Sequence, residues 1–141
     1  MQSEGSKWDP ATVIGLRSCD EVLVVGNPAF MPWLFSVAHD ITSVKKLSDL
    51  EMLVREEEEF DKIIIARETA FVHEMVSFAG PLLKRQPGES GILVAFQPDD
   101  GWTLNEAVGF YFPEARTWEI DTTFGRAFIA EPLGTSWRFY S

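Results

Sequence analysis

A chain of 141 residues, 45% of them apolar, has the length and composition of one globular domain with a buried core. Its formal net charge of -10 argues against nucleic acid or anionic membranes as partners, because the acidic field would repel both. Cys19 is the single cysteine, so an internal disulfide is excluded, and we expect it to be small and at least half-buried. With no long apolar run and no signal peptide, the chain is expected to be cytoplasmic.

The first 18 residues are predicted to be a partly flexible lead-in to one domain that spans residues 19–141. Within this lead-in, Asp9-Pro10 is typical of a turn or of the start of a helix. A small apolar group is expected to pack around it: Trp8, Val13, Ile14 and Leu16.

The next segment is predicted to contain a strand and then a helix. Val22–Val25 is an apolar strand that ends at Gly26-Asn27-Pro28, because Gly tolerates positive φ and Pro lacks a backbone donor. The apolar stretch Phe30–Ala38 is predicted to be a short buried helix with Pro32 in its first turn.

A second strand and helix are predicted to follow. Ile41–Val44 is a strand candidate. Ser48-Asp49-Leu50-Glu51 matches a capping box, in which Ser and Glu satisfy each other's backbone donors, so a helix is predicted to start there. The acidic run Glu56–Glu59 is expected to be a solvated face near the end of that helix.

Two further apolar runs, Ile63–Ala66 and Ile92–Phe96, lie on either side of a helical pattern over Thr69–Leu83. A crossover helix is what allows consecutive strands to run in the same direction. We therefore expect these two strands and Val22–Val25 to be mutually parallel and buried on both faces.

The C-terminal part is predicted to hold a helix and a hairpin. Thr103-Leu104-Asn105-Glu106 is a second capping box. Apolar residues alternate with polar ones on both sides of Thr122–Gly125, which is typical of a β-hairpin. The aromatic end Trp137–Tyr140 could add an edge strand, and we expect a homodimer or another protein partner to use these C-terminal aromatic strands.

The order of these pieces resembles the class I S-adenosylmethionine-dependent methyltransferases. In that family a glycine-ended first strand, a strand introduced by Phe-Asp, a helix and a Leu-Leu-Lys-x-Pro-Gly-Gly-x-Leu-Val passage precede an antiparallel hairpin. Here Phe60-Asp61 precedes the second apolar run, and the stretch 82–94 is similar to the longer passage. The resemblance covers residues 20–131 and implies an α/β, three-layer Rossmann-like sandwich with a mostly parallel sheet and an antiparallel C-terminal hairpin.

Three departures from the family concern the cofactor, S-adenosylmethionine. The first loop has only Gly26 before Asn27-Pro28, where the family has several glycines that let the backbone approach the methionine part. Lys45-Lys46 follows Val44 where the family has an acidic residue for the ribose hydroxyls. The chain between Val44 and Ile63 has room for one helix, so one βα unit is expected to be missing.

In an open parallel sheet, ligands bind beyond the carboxyl ends of the strands where the strand order reverses. Here that crevice lies between the first strand and Ile63–Ala66, and the candidate cofactor-binding residues are Gly26, Asn27, Arg67 and Glu68. Arg67 could clamp a carboxylate or a phosphate, whereas Glu68 could neutralise it or begin the next helix.

No residue is assigned a catalytic role. The pairs His39-Asp40 and His73-Glu74 are sequence neighbours whose side chains point apart, so neither is a metal or acid/base motif. No metal is expected.

Three functional hypotheses remain. The first is a methyltransferase-like domain that has lost efficient S-adenosylmethionine binding and acts as a binding or scaffolding module, so that no cofactor is expected although S-adenosylmethionine is possible. The second is an active small S-adenosylmethionine-dependent methyltransferase. The third is an unrelated Rossmann-like domain that binds a small metabolite.

Overall fold

A computed structural model describes residues 8–26, 29, 31–65, 77–78, 81–83, 85–86, 89–96, 108–109 and 116–131. Its helices are α1 (Pro10–Val13), α2 (Pro32–Phe35) and α3 (Leu47–Arg55). Its strands are β1 (Glu21–Val25), β2 (Asp40–Val44), β3 (Lys62–Ile65), β4 (Arg85–Gln86), β5 (Glu89–Ser90), β6 (Ile92–Phe96), β7 (Arg116–Thr122) and β8 (Gly125–Glu131).

The main sheet has six strands in the order β2-β1-β3-β6-β8-β7. The pairs β1–β2, β1–β3 and β3–β6 are parallel. The strand β8 is antiparallel to both β6 and β7. This arrangement confirms the three parallel central strands and the antiparallel C-terminal hairpin. The short strands β4 and β5 form a separate antiparallel pair.

Both faces of the sheet are covered, because alternate residues of each central strand point to opposite sides. One face packs with Leu50 of α3, and its strand residues include Leu23, Ile63, Leu93 and Phe128. The other face packs with residues of α1, α2 and their flanks, and its strand residues include Val22, Val24, Ile64, Val94 and Ile129. The fold is therefore a three-layer α/β sandwich of the Rossmann-like kind, as predicted.

Several local predictions are confirmed. The carboxylate of Asp9 caps α1 by accepting a hydrogen bond from the backbone N–H of Thr12 at 3.2 Å. Pro32 lies in the first turn of α2, where its missing N–H costs nothing. The strand candidate becomes β2, and α3 is the one helix between β2 and β3, a part of the chain that is described in full.

The predicted start of α3 is wrong. The helix begins at Leu47, and its N-cap is Lys46, whose side chain makes no capping hydrogen bond. The backbone of Lys46 is still extended (φ -122°, ψ 151°), so the helix starts directly after the strand exit and Ser48 already lies inside the first turn. A residue with helical backbone cannot act as the N-cap, and the capping box is therefore not formed as predicted.

Two burial predictions also need correction. Cys19 is exposed, because it lies in the turn before β1, where Asp20 rather than Cys19 is buried. The segment around α2 is only partly buried. Met31, Leu34 and Ala38 are in the core, whereas Phe35 is exposed, because a helix of four residues can bury only one side.

Other expectations lie wholly or largely outside the described residues: the helix over Thr69–Leu83, the second capping box at Thr103–Glu106 and the aromatic end Trp137–Tyr140. The acidic run Glu56–Glu59 is exposed, as expected of a solvated face. Within the described ranges, no helix has the length and apolar character to cross a membrane.

Candidate functional site

The carboxyl ends of three neighbouring strands meet at one edge of the sheet. Val25 of β1 is paired with Val44 of β2 and with Ile65 of β3, so the three strands end at the same level. The chain goes from β1 outward to β2 but from β3 in the opposite direction to β6, so the strand order reverses between β1 and β3. This reversal is the place where open α/β sheets bind ligands. We call it the carboxyl edge.

Gly26 forms the turn that leaves β1 at the carboxyl edge. Its φ of 128° lies in a region that residues with a Cβ rarely adopt. Its backbone N–H donates to the carbonyl of Val44 at 2.8 Å, which ties the exit of β1 to the end of β2. The glycine at this position is therefore required by backbone shape.

The four predicted cofactor-binding residues are only partly placed. Gly26 lies at the carboxyl edge as described above. Asn27, Arg67 and Glu68 lie outside the described residues, so their part in a site stays a prediction.

Lys45 and Lys46 also lie at the carboxyl edge. They follow Val44, the last residue of β2, and both side chains are exposed. The N–H of Gly26 donates to the carbonyl of Val44, and the lysine pair starts at the residue after Val44. The pair therefore lies beside the turn after β1. The structure thus places cations where the resemblance to the methyltransferases implies a carboxylate.

An aromatic cluster lies at the carboxyl end of β6, along the same edge of the sheet. It was not predicted from the sequence. Phe96 is the last residue of β6, and its ring centroid lies 5.5 Å from that of Trp33 and 5.2 Å from that of Phe124. The Trp33 and Phe124 rings are 5.8 Å apart. All three contacts are edge-to-face, the geometry that aromatic pairs favour. The buried indole Nε1 of Trp33 has no hydrogen-bond acceptor among the residues described.

The Phe-Asp motif lies at the opposite edge of the sheet, where the parallel strands begin. Asp61 accepts a hydrogen bond from the N–H of Glu21 through its carboxylate at 2.8 Å, and its own N–H donates to the carbonyl of Glu21 at 2.8 Å. Its carbonyl accepts from the N–H of Ile92 at 3.0 Å. Asp61 therefore ties together the starts of β1, β3 and β6, which is a structural role.

The Leu-Leu passage also serves the fold. The N–H of Phe60 donates to the carbonyl of Leu82 at 2.7 Å, and Leu83 is buried beside Gly91. A Cβ on Gly91 would come within 2.7 Å of Leu83 Cδ2 and 3.3 Å of the Asp61 carbonyl oxygen. Only glycine fits this contact without displacement of its neighbours.

A buried ion-pair cluster lies at this same edge, away from the carboxyl edge. Asp20 is fully buried, and Lys62 Nζ lies 3.0 Å from its Oδ2. Arg17 adds its backbone N–H at 2.9 Å from Oδ2 and its guanidinium at 3.0 Å from Oδ1. Desolvation by burial raises the pKa of Asp20, but the hydrogen bonds from Arg17 and Lys62 outweigh it, so the pKa lies below its usual value.

Among the described residues no group of histidine, cysteine and carboxylate side chains could hold a metal ion. His39 is exposed, and His73 lies outside the described residues.

No protein-family model matches the chain, and no curated protein is significantly similar to it in sequence. Solved structures do match in shape. One is a release factor-specific protein-(glutamine-N5) methyltransferase from Alicyclobacillus acidocaldarius, with a TM-score of 0.58 and 12% identity, over 93% of this chain and 97% of that chain. Another is TrmN from Thermus thermophilus, with a TM-score of 0.55 and 16% identity, over 87% of this chain and 47% of that chain. At these identities the likeness concerns the fold.

Proposed function

We propose that this chain, whose fold is that of the class I methyltransferases, does not bind S-adenosylmethionine efficiently and acts as a binding module. The observation that carries the proposal is the charge of the two residues that follow β2. Lys45 and Lys46 follow Val44 there, whereas Rossmann-type folds use an acidic residue at this place to hold ribose hydroxyls. An ammonium group can donate hydrogen bonds but cannot accept them from those hydroxyls.

Charge supports the same conclusion. S-adenosylmethionine carries a sulfonium and an ammonium against one carboxylate, so its net charge is positive. Two lysines at the carboxyl edge therefore make its binding less favourable. The turn after β1 begins with Gly26, and the sequence continues with Asn27-Pro28 where the family has further glycines.

We expect calorimetric titration to show no S-adenosylmethionine binding tighter than about 0.1 mM. The physical reason is the loss of two or three good hydrogen bonds, each worth roughly 1 to 3 kcal/mol when a buried partner is left unpaired. S-adenosylhomocysteine, which lacks the sulfonium, serves as the matched ligand. It should also bind weakly, because the hydrogen bonds are lost for both molecules. Micromolar binding of either ligand would contradict the proposal and support an active small methyltransferase.

A surface for the binding role is the outer edge of β7, the last strand of the sheet. Among the described residues, it pairs only with Trp8, whose N–H donates to the carbonyl of Asp121 at 3.2 Å and whose carbonyl accepts from Thr123 at 2.9 Å. Backbone groups alternate in direction along a strand, so those of Thr117 and Glu119 point outward as well. This edge offers hydrogen bonds to another strand.

The occupant that we propose for this edge is β7 of a second copy of the chain. In an antiparallel pairing with a two-fold axis at Trp118, the outward backbone N–H and C=O groups of Thr117 lie opposite those of Glu119 in the partner. The two Trp118 side chains then lie opposite each other. Trp118 is 36% exposed, so this contact buries apolar surface. An axis at Glu119 would oppose two like charges directly, which disfavours that register.

The expected dimer is weak. Trp8 already occupies the edge beside Thr122, so residues 116–120 are the part of the described strand that each copy has left to pair. Such a contact is smaller than the roughly 1,200 Å² that stable complexes bury, and two acidic chains repel. We expect sedimentation to show a monomer at low micromolar concentration and a dimer approaching about 1 mM.

The test variant is Thr117→Pro, which removes an outward N–H while the β7–β8 hydrogen bonds remain. It should stay monomeric at every concentration. Met52→Ala, which removes another exposed apolar side chain from α3, is the matched control and should dimerise like the parent. A parent protein that stays monomeric, or a Thr117→Pro variant that still dimerises, would rule out this interface.

A further inference from the structure

The lysine pair at the carboxyl edge differs from the other cationic side chains that the structure describes. Most lysine and arginine side chains that the structure describes have a carboxylate partner: Arg17 and Lys62 pair with Asp20, Arg55 with Glu51, Arg116 with Glu131 and Arg126 with Glu119. Lys45 and Lys46 are the exceptions within the described side chains. They form no ion pair there.

This exception is informative because acidic groups are abundant. The chain has 22 aspartate and glutamate residues against 12 lysine and arginine residues. Two neighbouring lysines with no carboxylate partner among the described side chains make the local potential positive, which favours a bound anion. The position of the pair, next to the Gly26 turn at the strand-order reversal, is the position of a ligand site.

The place of the lysines within the edge indicates the ligand class. In Rossmann-type sites the residue at the end of the second strand faces the ribose of a nucleotide. A carboxylate there accepts a hydrogen bond from a free ribose hydroxyl, whereas a cation there accommodates a phosphate on the ribose. Lysine acts on phosphate as a point charge with several donors. We propose that the carboxyl edge binds a nucleotide whose ribose carries a phosphate, with Lys45 and Lys46 as the phosphate-binding residues.

This inference rests on the proposed function, since the same edge would otherwise hold S-adenosylmethionine. It also gives Gly26 a part in the site, because Gly26 itself brings no side chain to the start of the turn beside the lysines. The attraction is electrostatic and partly exposed, so the affinity should fall as the salt concentration rises.

The experiment is calorimetric titration of the full chain with adenosine 2′-monophosphate, adenosine and inorganic phosphate at low salt. We expect the nucleotide to bind at least about tenfold more tightly than either adenosine or phosphate, since charge-assisted hydrogen bonds contribute more than neutral ones. Equal affinity for the nucleotide and adenosine would overturn the phosphate assignment. Equal affinity for the nucleotide and inorganic phosphate would overturn the nucleotide assignment.

The variant Lys45→Ala/Lys46→Ala should lose the preference for the phosphorylated nucleotide. Arg55→Ala/Arg116→Ala removes the same charge from two exposed ion pairs elsewhere and should keep that preference. If both double variants behave alike, the lysines do not form the site. Titration of the parent protein with S-adenosylmethionine separates the two proposals. Micromolar binding of S-adenosylmethionine contradicts the proposed function, whereas a parent protein that shows no preference for the phosphorylated nucleotide contradicts this inference alone.

Discussion

Replacement of Ile64 by alanine is expected to lower the free energy of unfolding by about 2 to 5 kcal/mol. Ile64 is 0% exposed and lies in β3, between Val24 of β1 and Val94 of β6. Parallel strands on both sides and a packed layer on its face leave little room for the structure to relax. The cost therefore includes the lost transfer free energy of the side chain and the cavity that remains.

The measurement is urea unfolding followed by circular dichroism, with Glu58→Ala as the control. Glu58 is exposed in the acidic run, so its replacement should change the midpoint very little. Equal midpoints for the two variants would show that β3 is not buried as described.

The variant Asp20→Ala is expected to cost about 3 to 5 kcal/mol, because it leaves a buried cation without its partner. The side chain of Lys62 is only 7% exposed and lies 3.0 Å from the carboxylate of Asp20. The exposed guanidinium of Arg17 can return to water, but the ammonium of Lys62 cannot do so without moving β3.

The same cluster predicts how stability depends on pH. The pKa of Asp20 is lowered in the folded state, since hydrogen bonds from Arg17 and Lys62 outweigh the effect of burial. The contribution of Asp20 is therefore complete above its unfolded pKa of about 3.9 and is lost as the pH falls toward the lower folded pKa. Asp20→Asn, which cannot ionise, should show a shallower loss of stability between about pH 5 and pH 2.

A double variant separates the buried charge from the packing. Asp20→Asn/Lys62→Met removes both charges and keeps similar volumes, so it should be more stable than Asp20→Ala. Asp9→Ala is the control for an exposed carboxylate that caps a helix, and it should cost about 1 kcal/mol. If Asp20→Ala were no more costly than Asp9→Ala, the cluster would not act as a buried ion pair.

The central strands were predictable because their burial leaves a continuous apolar run in the chain. Strands covered on both faces need apolar side chains at every position, and Val22–Val25, Ile63–Ile65 and Ile92–Phe96 meet that condition. The hairpin was predictable for a similar reason, since alternation and a turn glycine, Gly125, both appear in the local sequence, and the structure gives that glycine a positive φ.

The start of α3 was mispredicted because a capping box is a local signal, whereas the exit from β2 sets where the helix begins. The chain leaves the strand at Val44 and is already helical at Leu47. Tertiary position thus overrode the local preference of Ser48.

The candidate site was predicted in part, because some of its residues directly follow apolar strands. The end of β1 at Gly26 and the lysines after β2 are visible in the sequence, since each follows an apolar strand directly. Among the described side chains, Lys45 and Lys46 have no carboxylate partner whereas the other cations do. This difference depends on side chains brought together by folding and could not be inferred from spacing.

What the sequence by itself determined is the strands of the main sheet, the parallel direction of its three central strands and the edge at which a ligand would bind, because apolar runs and their turn residues are properties of neighbouring positions. Only the tertiary structure decided which distant residues meet. Asp20 contacts Lys62 across 42 positions, and Trp33 contacts Phe96 and Phe124 across the end of the sheet. The physical reason is that strand order and register, rather than sequence distance, set these contacts, so the same register that buries the ion pair at one edge leaves the lysines exposed at the other.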